Sequence, residues 1–369
     1  MNGMRVLITV PSLAREFGGP AFKARALARA LEARHPVTLL GCAAAPVDGA
    51  VALKPVARFH GTPVPLDFGR IVSAVRAADV VQIVGYRDPV GTVAALAARR
   101  LRVPYLLEPS GMLKRRLRSV PLKRGFDATI GRSVVSGAGL LIATSALEAA
   151  ELREDGIAGS RVVVRPNGIT LEELSPLPPR GVLRRSLGIP DDVPLVLALG
   201  RIARKKGLTT LVESLARVPR AHLVVAGPDD GDGALADVMG ALDRLALHPR
   251  VHVMPDGLWG AAKAQALADS DLFCLFSMTE NFGTAALEAA ACGVCTVLSD
   301  RCGAAEFLAD GAVVVPLADP DRLSDVLVRL CGDPAERAMV AAAGLRAAAT
   351  LTWDAIADRQ SKIYESLAR

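Results

Sequence analysis

The chain has 369 residues, which exceeds one ordinary domain and suits two. Hydrophobic residues make up 51% and aromatic residues only 4%, a mix typical of helices packed on buried parallel strands. The N-terminus lacks a signal-peptide pattern, and no apolar run approaches the ~20 residues that a membrane-spanning helix needs. The sequence therefore predicts a cytosolic protein.

The charge is unevenly distributed along the chain. Residues 1–165 carry 24 Lys and Arg against 12 Asp and Glu, whereas the remaining residues carry 20 against 26. A basic first half indicates a partner that contacts only that half. An anionic membrane, an anionic acceptor molecule and a nucleic acid are the three candidates.

Short apolar runs alternate with amphipathic segments from the N-terminus onward, which predicts alternating strands and helices. In the first half the predicted strands are 5–10, 37–40, 80–84, 104–108, 140–143 and 162–165. The predicted helices are 21–34, 90–102 and 146–155. Such alternation is typical of a doubly wound parallel sheet.

The pattern breaks at residues 167–181, where SPLPPRG is rich in residues that interrupt helices and strands, and then restarts. The second set of predicted strands is 195–199, 222–226, 251–254, 272–276, 294–298 and 313–315, and the predicted helices are 208–217, 233–246, 261–268, 284–292, 319–330, 334–348 and 353–367. The expected fold is therefore α/β, with two Rossmann-like, doubly wound parallel-sheet domains facing across a cleft.

The segment ENFGTAALE follows a predicted strand and opens a helix. Glu280 lies at the end of the loop, and Glu288 lies two turns into the helix on roughly the same face. The amides of Phe282, Gly283 and Thr284 would present free N–H groups at the positive helix end, which suits a diphosphate. The two carboxylates suit sugar hydroxyls better than phosphate. Alternatively, Glu280 caps the helix and Glu288 is a solvated helix residue.

The segment GRIARKKG, residues 200–207, follows another predicted strand. Arg201 and Lys206 can supply the fixed positive charge that a leaving diphosphate needs. The glycines at both ends let the backbone approach a ligand. For Arg204 and Lys205 we prefer the plainer interpretation of an exposed basic turn.

These two segments, in this order, resemble those of the retaining glycosyltransferases of family 4, the group 1 transferases of the GT-B fold. The matching motifs are GRxxxxKG at residues 200–207 and E-x7-E at residues 280–288, with further likenesses in the Gly-rich loop at Gly18 and Gly19, in PNG at 166–168 and in CGAAE at 302–306. The resemblance covers most of the chain. It implies an acceptor-binding domain at 1–170, completed by a returning helix at 353–369, and a donor-binding domain at 171–352.

The resemblance implies a donor site in the second domain. Glu280 would hold the transferred sugar together with the amides of Phe282 and Gly283. Glu288 would bind the ribose hydroxyls. The remaining implied roles are neutralisation of the diphosphate by Arg201 and Lys206, closure of the loop at Gly18 and Gly19 over the phosphates, and a nucleobase near Met254.

The acceptor end departs from the family pattern. Many relatives carry His in a PHGM segment, whereas this chain has Ser110 in PSGM, directly after Glu108 and Pro109. Ser110 could still form a hydrogen bond. Glu108 is either a substitute for the imidazole or a structural residue. The front-face mechanism usually proposed for the family needs no added base, because the leaving phosphate takes the proton of the acceptor.

Residues 114–124 form a basic segment between Glu108 and Asp127, with no acid between those two. One interpretation is contact with an anionic membrane or lipid acceptor at the inner face of the cell membrane. The other is a solvated basic surface. A nucleic-acid partner is disfavoured because the segment has no Tyr or Trp for base stacking. The basic residues are Lys114, Arg115, Arg116, Arg118, Lys123 and Arg124.

The six cysteines and five histidines do not indicate a metal site. Cys292, Cys295 and Cys302 are close in sequence, but no second CxxC and no nearby His completes a tetrahedron, so buried, reduced thiols are the better interpretation. Structural roles are expected for all five histidines. We expect no cofactor and no metal, because the basic pair and the helix N-terminus supply positive charge to the diphosphate.

The sequence thus predicts a retaining, metal-independent hexosyltransferase that uses a UDP- or GDP-sugar and a saccharide, lipid-linked or small-molecule acceptor, in polysaccharide or glycoconjugate biosynthesis. An epimerase or phosphorylase of the same fold is one alternative, and a non-catalytic sugar-nucleotide-binding protein is another. A NAD-dependent oxidoreductase is disfavoured because the first βα turn lacks GxGxxG.

Overall fold

The computed structural model describes residues 3–14, 17–59, 61–113, 124–170, 174 and 176–368. The chain forms two compact units. The first unit contains Met1–Gly168 together with Trp353–Arg369, and the second contains Ile169–Thr352. The second unit thus begins two residues before the predicted position, 171.

The first unit is built on a seven-stranded parallel sheet with the strand order β3-β2-β1-β6-β7-β8-β9. A separate antiparallel pair, β4 and β5, interrupts this series. The strands are β1 Val6–Ser12, β2 Val37–Cys42, β3 Ala50–Leu53, β4 Pro55–Phe59, β5 Thr62–Pro65, β6 Val80–Val84, β7 Tyr105–Glu108, β8 Leu140–Ala143 and β9 Val162–Val164.

The helices of the first unit lie between these strands. They are α1 Gly19–Leu31, α2 Phe68–Ala77, α3 Pro89–Leu101, α4 Arg132–Gly137 after a π-helical turn at Asp127–Gly131, and α5 Ala146–Glu154. In α1 the buried side chains include Ala24, Leu27, Ala28 and Leu31, spaced three or four residues apart on one face. This is the face that the sequence pattern predicts.

The second unit is built on a six-stranded parallel sheet with the order β12-β11-β10-β13-β14-β15. Its strands are β10 Leu195–Leu199, β11 His222–Ala226, β12 Val251–Met254, β13 Leu272–Leu275, β14 Cys295–Ser299 and β15 Ala312–Val315. Its helices are α6 Val182–Leu187, α7 Leu208–Ala216, α8 Ala234–Leu245, α9 Ala261–Asp269, α10 Thr284–Ala291, α11 Ala305–Leu308, α12 Pro320–Gly332 and α13 Pro334–Ala348.

Each sheet reverses its strand order next to its first strand. In the second unit, β10 lies between β11, which follows it in the chain, and β13, which follows much later. The carboxyl ends of β10 and β13 therefore lie at the reversal of strand order, the usual ligand position in open α/β sheets. The loops that follow these two strands carry both predicted donor-site motifs.

The C-terminal helix α14, Trp353–Ala368, belongs to the first unit, which confirms the predicted return. Arg34 Nε donates to Asp358 Oδ1 at 2.7 Å, and His35 Nε2 lies 2.9 Å from Ser361 Oγ. A Cβ placed on Gly139 would lie only 2.2 Å from Cδ1 of Leu367, so the helix packs directly on backbone. The return therefore closes the core of the first unit.

Among the described residues, the sequence prediction missed three strands, β3, β4 and β5, and four helices, α2, α4, α6 and α11. Pro55, Pro63 and Pro65 lie within the β4–β5 pair, and proline normally argues against a strand because it cannot donate to a ladder. This pair is an isolated two-stranded sheet, where missing donors are tolerated. Across the described residues, no helix is both long and apolar enough to span a membrane.

Candidate functional site

The loop after β10 carries the predicted basic motif, and its last glycine is required by the packing. Gly207 has φ of 62°, a left-handed conformation that favours glycine. A Cβ placed there would lie 2.2 Å from the carbonyl oxygen of Phe276, which directly follows β13. The close approach of these two loops brings Lys206 to the end of β13.

The ammonium group of Lys206 donates a hydrogen bond to Oε2 of Glu280. The two side chains are 14% and 19% exposed, so both can still be reached from solvent. Burial raises the pKa of Glu280, but the charge and hydrogen bond of Lys206 and the nearby charges of Lys205 and Arg201 outweigh burial, and the net pKa is below its ordinary value. Glu280 is therefore an ionised hydrogen-bond acceptor at neutral pH.

Lys205 lies closer to this pair than the sequence suggested. Its side chain is half-buried, and burial lowers the pKa of its ammonium; Glu280 opposes the shift, while Lys206 and Arg201 add to it. The predicted exposed turn is therefore wrong for Lys205. It is confirmed for Arg204, which is exposed and lies 3.0 Å from Asp237 Oδ2.

Arg201 is exposed, with a side chain 61% accessible, and its charge helps to lower the pKa of Glu280. Its Nη1 lies 2.9 Å from Oδ1 of Asp230. An exposed ion pair of this kind contributes little to stability, so the guanidinium can be drawn to a stronger anion at low cost. The loop thus places three cations beside Glu280.

The segment from Glu280 to Thr284 is held by the chain that follows β14. Glu280 donates its amide to the carbonyl of Arg301 at 3.0 Å, and the carbonyl of Phe282 accepts from Ala304 at 2.6 Å. Gly283 has φ of 91°, and a Cβ there would lie 2.6 Å from the sulfur of Cys302. This clamp fixes the entry to α10.

The N-terminus of α10 presents backbone donors. Within the described residues, no acceptor takes the amide hydrogens of Phe282, Gly283 or Thr284. Unpaired N–H groups at a helix N-terminus carry a partial positive charge and favour anions. The unpaired amides therefore lie beside the Lys206–Glu280 pair, and phosphate binding there stays a prediction.

Glu288, one of the predicted donor-site residues, lies further along α10 and is paired. The ammonium of Lys263, on α9, lies 2.8 Å from Oε1 of Glu288, and the side chains are 20% and 21% exposed. Lys263 was missed by the sequence reasoning. A signal could have been its position in the first turn of the helix after the predicted nucleobase segment.

Met254, predicted to lie near the nucleobase, ends β12. Its carbonyl accepts from the amides of Gly227 at 3.1 Å and Gly257 at 3.0 Å. These bonds fix the carboxyl ends of β11 and β12 to each other. The carbonyl of Met254 is thereby occupied by the protein itself.

Glu108, a predicted acceptor-side candidate, is fully buried at the end of β7. Its Oε1 accepts from Lys23 Nζ at 2.7 Å, and its Oε2 accepts from Gln82 Nε2 at 2.8 Å. Arg165 Nη2 also lies 2.7 Å from Oε2, although its N–H direction does not favour a hydrogen bond. Gln82 in turn accepts from the hydroxyl of Tyr364 on α14. Both carboxylate oxygens are occupied, which favours the structural alternative for Glu108.

Burial raises the pKa of Glu108, but the charges of Arg165 and Lys23 and the hydrogen bonds from Lys23 and Gln82 outweigh it, so the net pKa is lowered. Glu108 is therefore ionised and neutralised within the core. A proton-transfer role would require a carboxyl that can gain a proton near neutral pH, and this environment opposes that.

Ser110, the other acceptor-side candidate, lies in a loop that several side chains hold. Its φ is 50°, and its hydroxyl accepts from Lys23 Nζ at 2.6 Å. The next amide, of Gly111, donates to Glu148 Oε1 at 2.6 Å. Arg87 donates to the two carbonyls that follow Gly111. Lys23, Glu148 and Arg87 were not singled out from the sequence, because each lies far from the loop in the chain.

Gly18 and Gly19 lie at the start of α1. Gly18 has φ of 77° and caps the helix, and Gly19 is its first residue. Among the described residues, no atom beyond their immediate neighbours lies within 4 Å of a Cβ placed on either glycine. The open space is compatible with the predicted approach of phosphates, which stays a prediction.

No cluster of three or more potential metal ligands occurs in the described part of the chain. All six cysteines are free, and burial raises the pKa of the Cys42 and Cys331 thiols to about 11. His222 and His252 stack with centroids 5.6 Å apart, and burial lowers the pKa of both imidazoles. His60 lies outside the described residues.

The fold is shared with solved glycosyltransferases. HepE of Anabaena, solved in complex with UDP and glucose, superposes with a TM-score of 0.80 over 99% of this chain and 100% of that chain, at 19% identity. Sucrose-phosphate synthase of Thermosynechococcus elongatus superposes with a TM-score of 0.76 over 99% of both chains, at 23% identity. These likenesses confirm the predicted GT-B class, two Rossmann-like parallel-sheet domains.

Two family models match the chain. One, described as glycosyl transferases group 1, covers residues 180–346, and the other, a glycosyl transferase 4-like domain, covers residues 18–168. A D-inositol 3-phosphate glycosyltransferase of Kineococcus radiotolerans is 32% identical over 74% of this chain and 68% of that protein. The chain belongs to the group 1 glycosyltransferases of family 4.

A D-inositol 3-phosphate glycosyltransferase of Xylanimonas cellulosilytica is 33% identical over 63% of this chain. The matched part spans 58% of that relative's length. Both family models are of glycosyltransferases, which supports that prediction and not the epimerase alternative.

Replacement of Gly207 by Ala tests the close approach of the two loops. We expect Gly207→Ala to lower the unfolding temperature clearly more than Gly188→Ala, since both positions cost the left-handed strain of about 1–2 kcal/mol but only Gly207 also meets a carbonyl. Gly188 has φ of 66° and, among the described residues, open space around its Cβ position. Equal losses in thermal unfolding experiments would show that the contact with Phe276 is not tight.

Proposed function

We propose that the protein is a retaining glycosyltransferase that moves a hexosyl unit from a UDP- or GDP-sugar to an acceptor hydroxyl. The observation that carries this proposal is the Lys206–Glu280 pair, beside Lys205, Arg201 and the unpaired amides that start α10. A nucleoside diphosphate needs cations and N–H donors, and a sugar needs hydroxyl acceptors. The cations and N–H donors lie beside the carboxylate acceptor Glu280 at this site.

The cations would stabilise the charge that develops on the diphosphate as its bond to the anomeric carbon breaks. Lys206 has three N–H groups, so it can retain its hydrogen bond to Glu280 while it donates another to a phosphate oxygen. The acceptor oxygen bonds to the anomeric carbon on the same face, and its proton passes to the departing phosphate oxygen. Neither carboxylate is required to move a proton.

Glu280 would position the sugar. Its lowered pKa makes it a poor proton donor at neutral pH and a good acceptor for sugar hydroxyls. Arg201 and the helix N-terminus supply the remaining positive charge, so we propose that a divalent ion is not required for leaving-group stabilisation.

The positive charge of the first unit favours an anionic acceptor. The basic excess of residues 1–165 would attract a phosphorylated or lipid-linked sugar. Relatives described as D-inositol 3-phosphate glycosyltransferases, and a phosphatidylinositol monomannoside mannosyltransferase of Corynebacterium glutamicum, support this choice. We propose a place in polysaccharide or glycoconjugate biosynthesis.

Replacement of Lys206 by Ala should lower kcat for donor turnover by at least ~10²-fold, because leaving-group stabilisation is lost. Arg204→Ala is the matched control, since it removes a cation from the same loop that is exposed and paired with Asp237. Turnover is measured as release of UDP or GDP from a panel of hexose donors. Equal rates for Lys206→Ala and Arg204→Ala would show that Lys206 does not stabilise the leaving group.

We also propose peripheral contact with an anionic membrane through residues 114–124. Only Arg124 of this segment lies within the described residues, so the proposal rests on the positive charge of the segment in the sequence. Each basic side chain contributes on the order of 1 kcal/mol near an anionic leaflet.

The triple variant Lys114→Ala, Arg115→Ala, Arg116→Ala should sediment with phosphatidylglycerol vesicles at least ~10-fold more weakly than the unchanged protein. The control removes three exposed arginines of the second unit, Arg217, Arg220 and Arg244. Equal sedimentation of all three proteins would refute the membrane contact.

A further inference from the structure

Trp259 is exposed in a chain with only two tryptophans. Its side chain is 56% accessible, and it lies in the loop that follows β12. The indole Nε1 donates to the carbonyl of Asp256 at 3.2 Å, which fixes one edge of the ring. A large aromatic surface that is both oriented and exposed is typical of binding sites.

Three glycines that follow neighbouring strands lie between Lys206 and Trp259. A Cβ on Gly200, after β10, would lie 3.5 Å from Nζ of Lys206. A Cβ on Gly227, after β11, would lie 1.9 Å from the carbonyl oxygen of Gly200, and one on Gly257, after β12, would lie 3.4 Å from Cα of Gly227. The Gly257 position also lies 3.2 Å from Nε1 of Trp259. Glycine at these three positions lets the strand ends pack closely on one another between Lys206 and Trp259.

Lys263 connects this loop to Glu288. It lies in the first turn of α9, four residues after Trp259, and the carbonyl of Trp259 accepts from the amide of Ala262 at 3.2 Å. Its ammonium lies 2.8 Å from Oε1 of Glu288. A charge-assisted bond between two mostly buried side chains restricts the rotamers of the carboxylate. Lys263 is therefore placed to orient the carboxylate of Glu288.

We propose that Trp259 and Lys263 complete the seat for the nucleoside part of the donor, an inference that rests on the proposed function. The indole face stacks on the nucleobase. Lys263 is a positioning residue that orients Glu288 toward the ribose hydroxyls. Stacking tolerates any base, so this seat recognises a nucleoside diphosphate as a class and leaves the choice between uracil and guanine to the backbone.

Tryptophan fluorescence tests the stacking directly, because each tryptophan can be removed alone. Titration with UDP and with GDP should lower the fluorescence of the unchanged protein and of the Trp353→Phe variant by the same absolute amount. Trp353 packs against Gly168 in the first unit and serves as the matched control. Trp259→Phe should lose the quenching but keep its calorimetric affinity within ~3-fold, whereas Trp259→Ala should lose ~10-fold or more.

The positioning role is tested by steady-state kinetics with the donor. Lys263→Gln should raise the donor KM by ~10-fold or more while lowering kcat much less, and Lys263→Arg should restore much of the loss. A purely structural role would instead lower the unfolding temperature and kcat while leaving the donor KM unchanged. That pattern would overturn the assignment of Lys263.

The outcomes distinguish the stacking role of Trp259 from the proposed function. Full quenching in Trp259→Phe, or unchanged affinity in Trp259→Ala, overturns the stacking role and leaves the proposed function intact. If calorimetry finds that neither UDP nor GDP binds the unchanged protein, both this seat and the proposed function are wrong.

Discussion

The proposed donor site depends on the ion pair between Lys206 and Glu280, because this pair joins the two loops that leave β10 and β13 at the reversal of strand order. A carboxylate that is mostly buried must be compensated by cations or hydrogen bonds. Here the compensation comes from the motif after β10, and the carboxylate comes from the motif after β13. The left-handed Gly207 and the carbonyl of Phe276 allow the loops to touch. The residues that stabilise the pair are also the ones that a sugar diphosphate needs.

The first unit shows the same elements used for a different purpose. Glu108 also ends a strand of a Rossmann-like sheet, and it also has a lysine partner. It is fully buried, however, and Lys23, Gln82 and Arg165 occupy both of its oxygens, whereas the side chain of Glu280 is 19% exposed. A buried and saturated carboxylate fixes the surrounding chain, here the loop of Ser110. A reachable carboxylate can accept a ligand.

Much of the fold could be predicted from sequence because local signals and the tertiary structure agree. The buried runs at β1, β6, β10 and β13 and the amphipathic pattern of α1 are such cases. The β4–β5 pair could not be predicted, because its prolines contradict the usual signal for a strand. Arg201, Lys206, Glu280 and Glu288 could be singled out as candidates because their motifs are contiguous in the chain.

The partners of those residues could not be found in the same way. Lys263 meets Glu288, and Lys23 meets Ser110, only after the chain has folded. Lys205 looked like an exposed residue because its neighbours in sequence are charged, and its burial follows from the packing of the loop near Glu280. Sequence therefore indicates the groups that carry charge, and tertiary structure decides which of them face each other.

We propose that protein cations and a helix N-terminus, without a divalent ion, bind the diphosphate of the donor. Calorimetric titration in EDTA compares UDP with UMP and GDP with GMP. We expect the diphosphate of the preferred base to bind at least ~10-fold more tightly than its monophosphate, because the second phosphate gains charge-assisted hydrogen bonds. Equal affinities, or diphosphate binding only after Mg²⁺ is restored, would contradict this proposal.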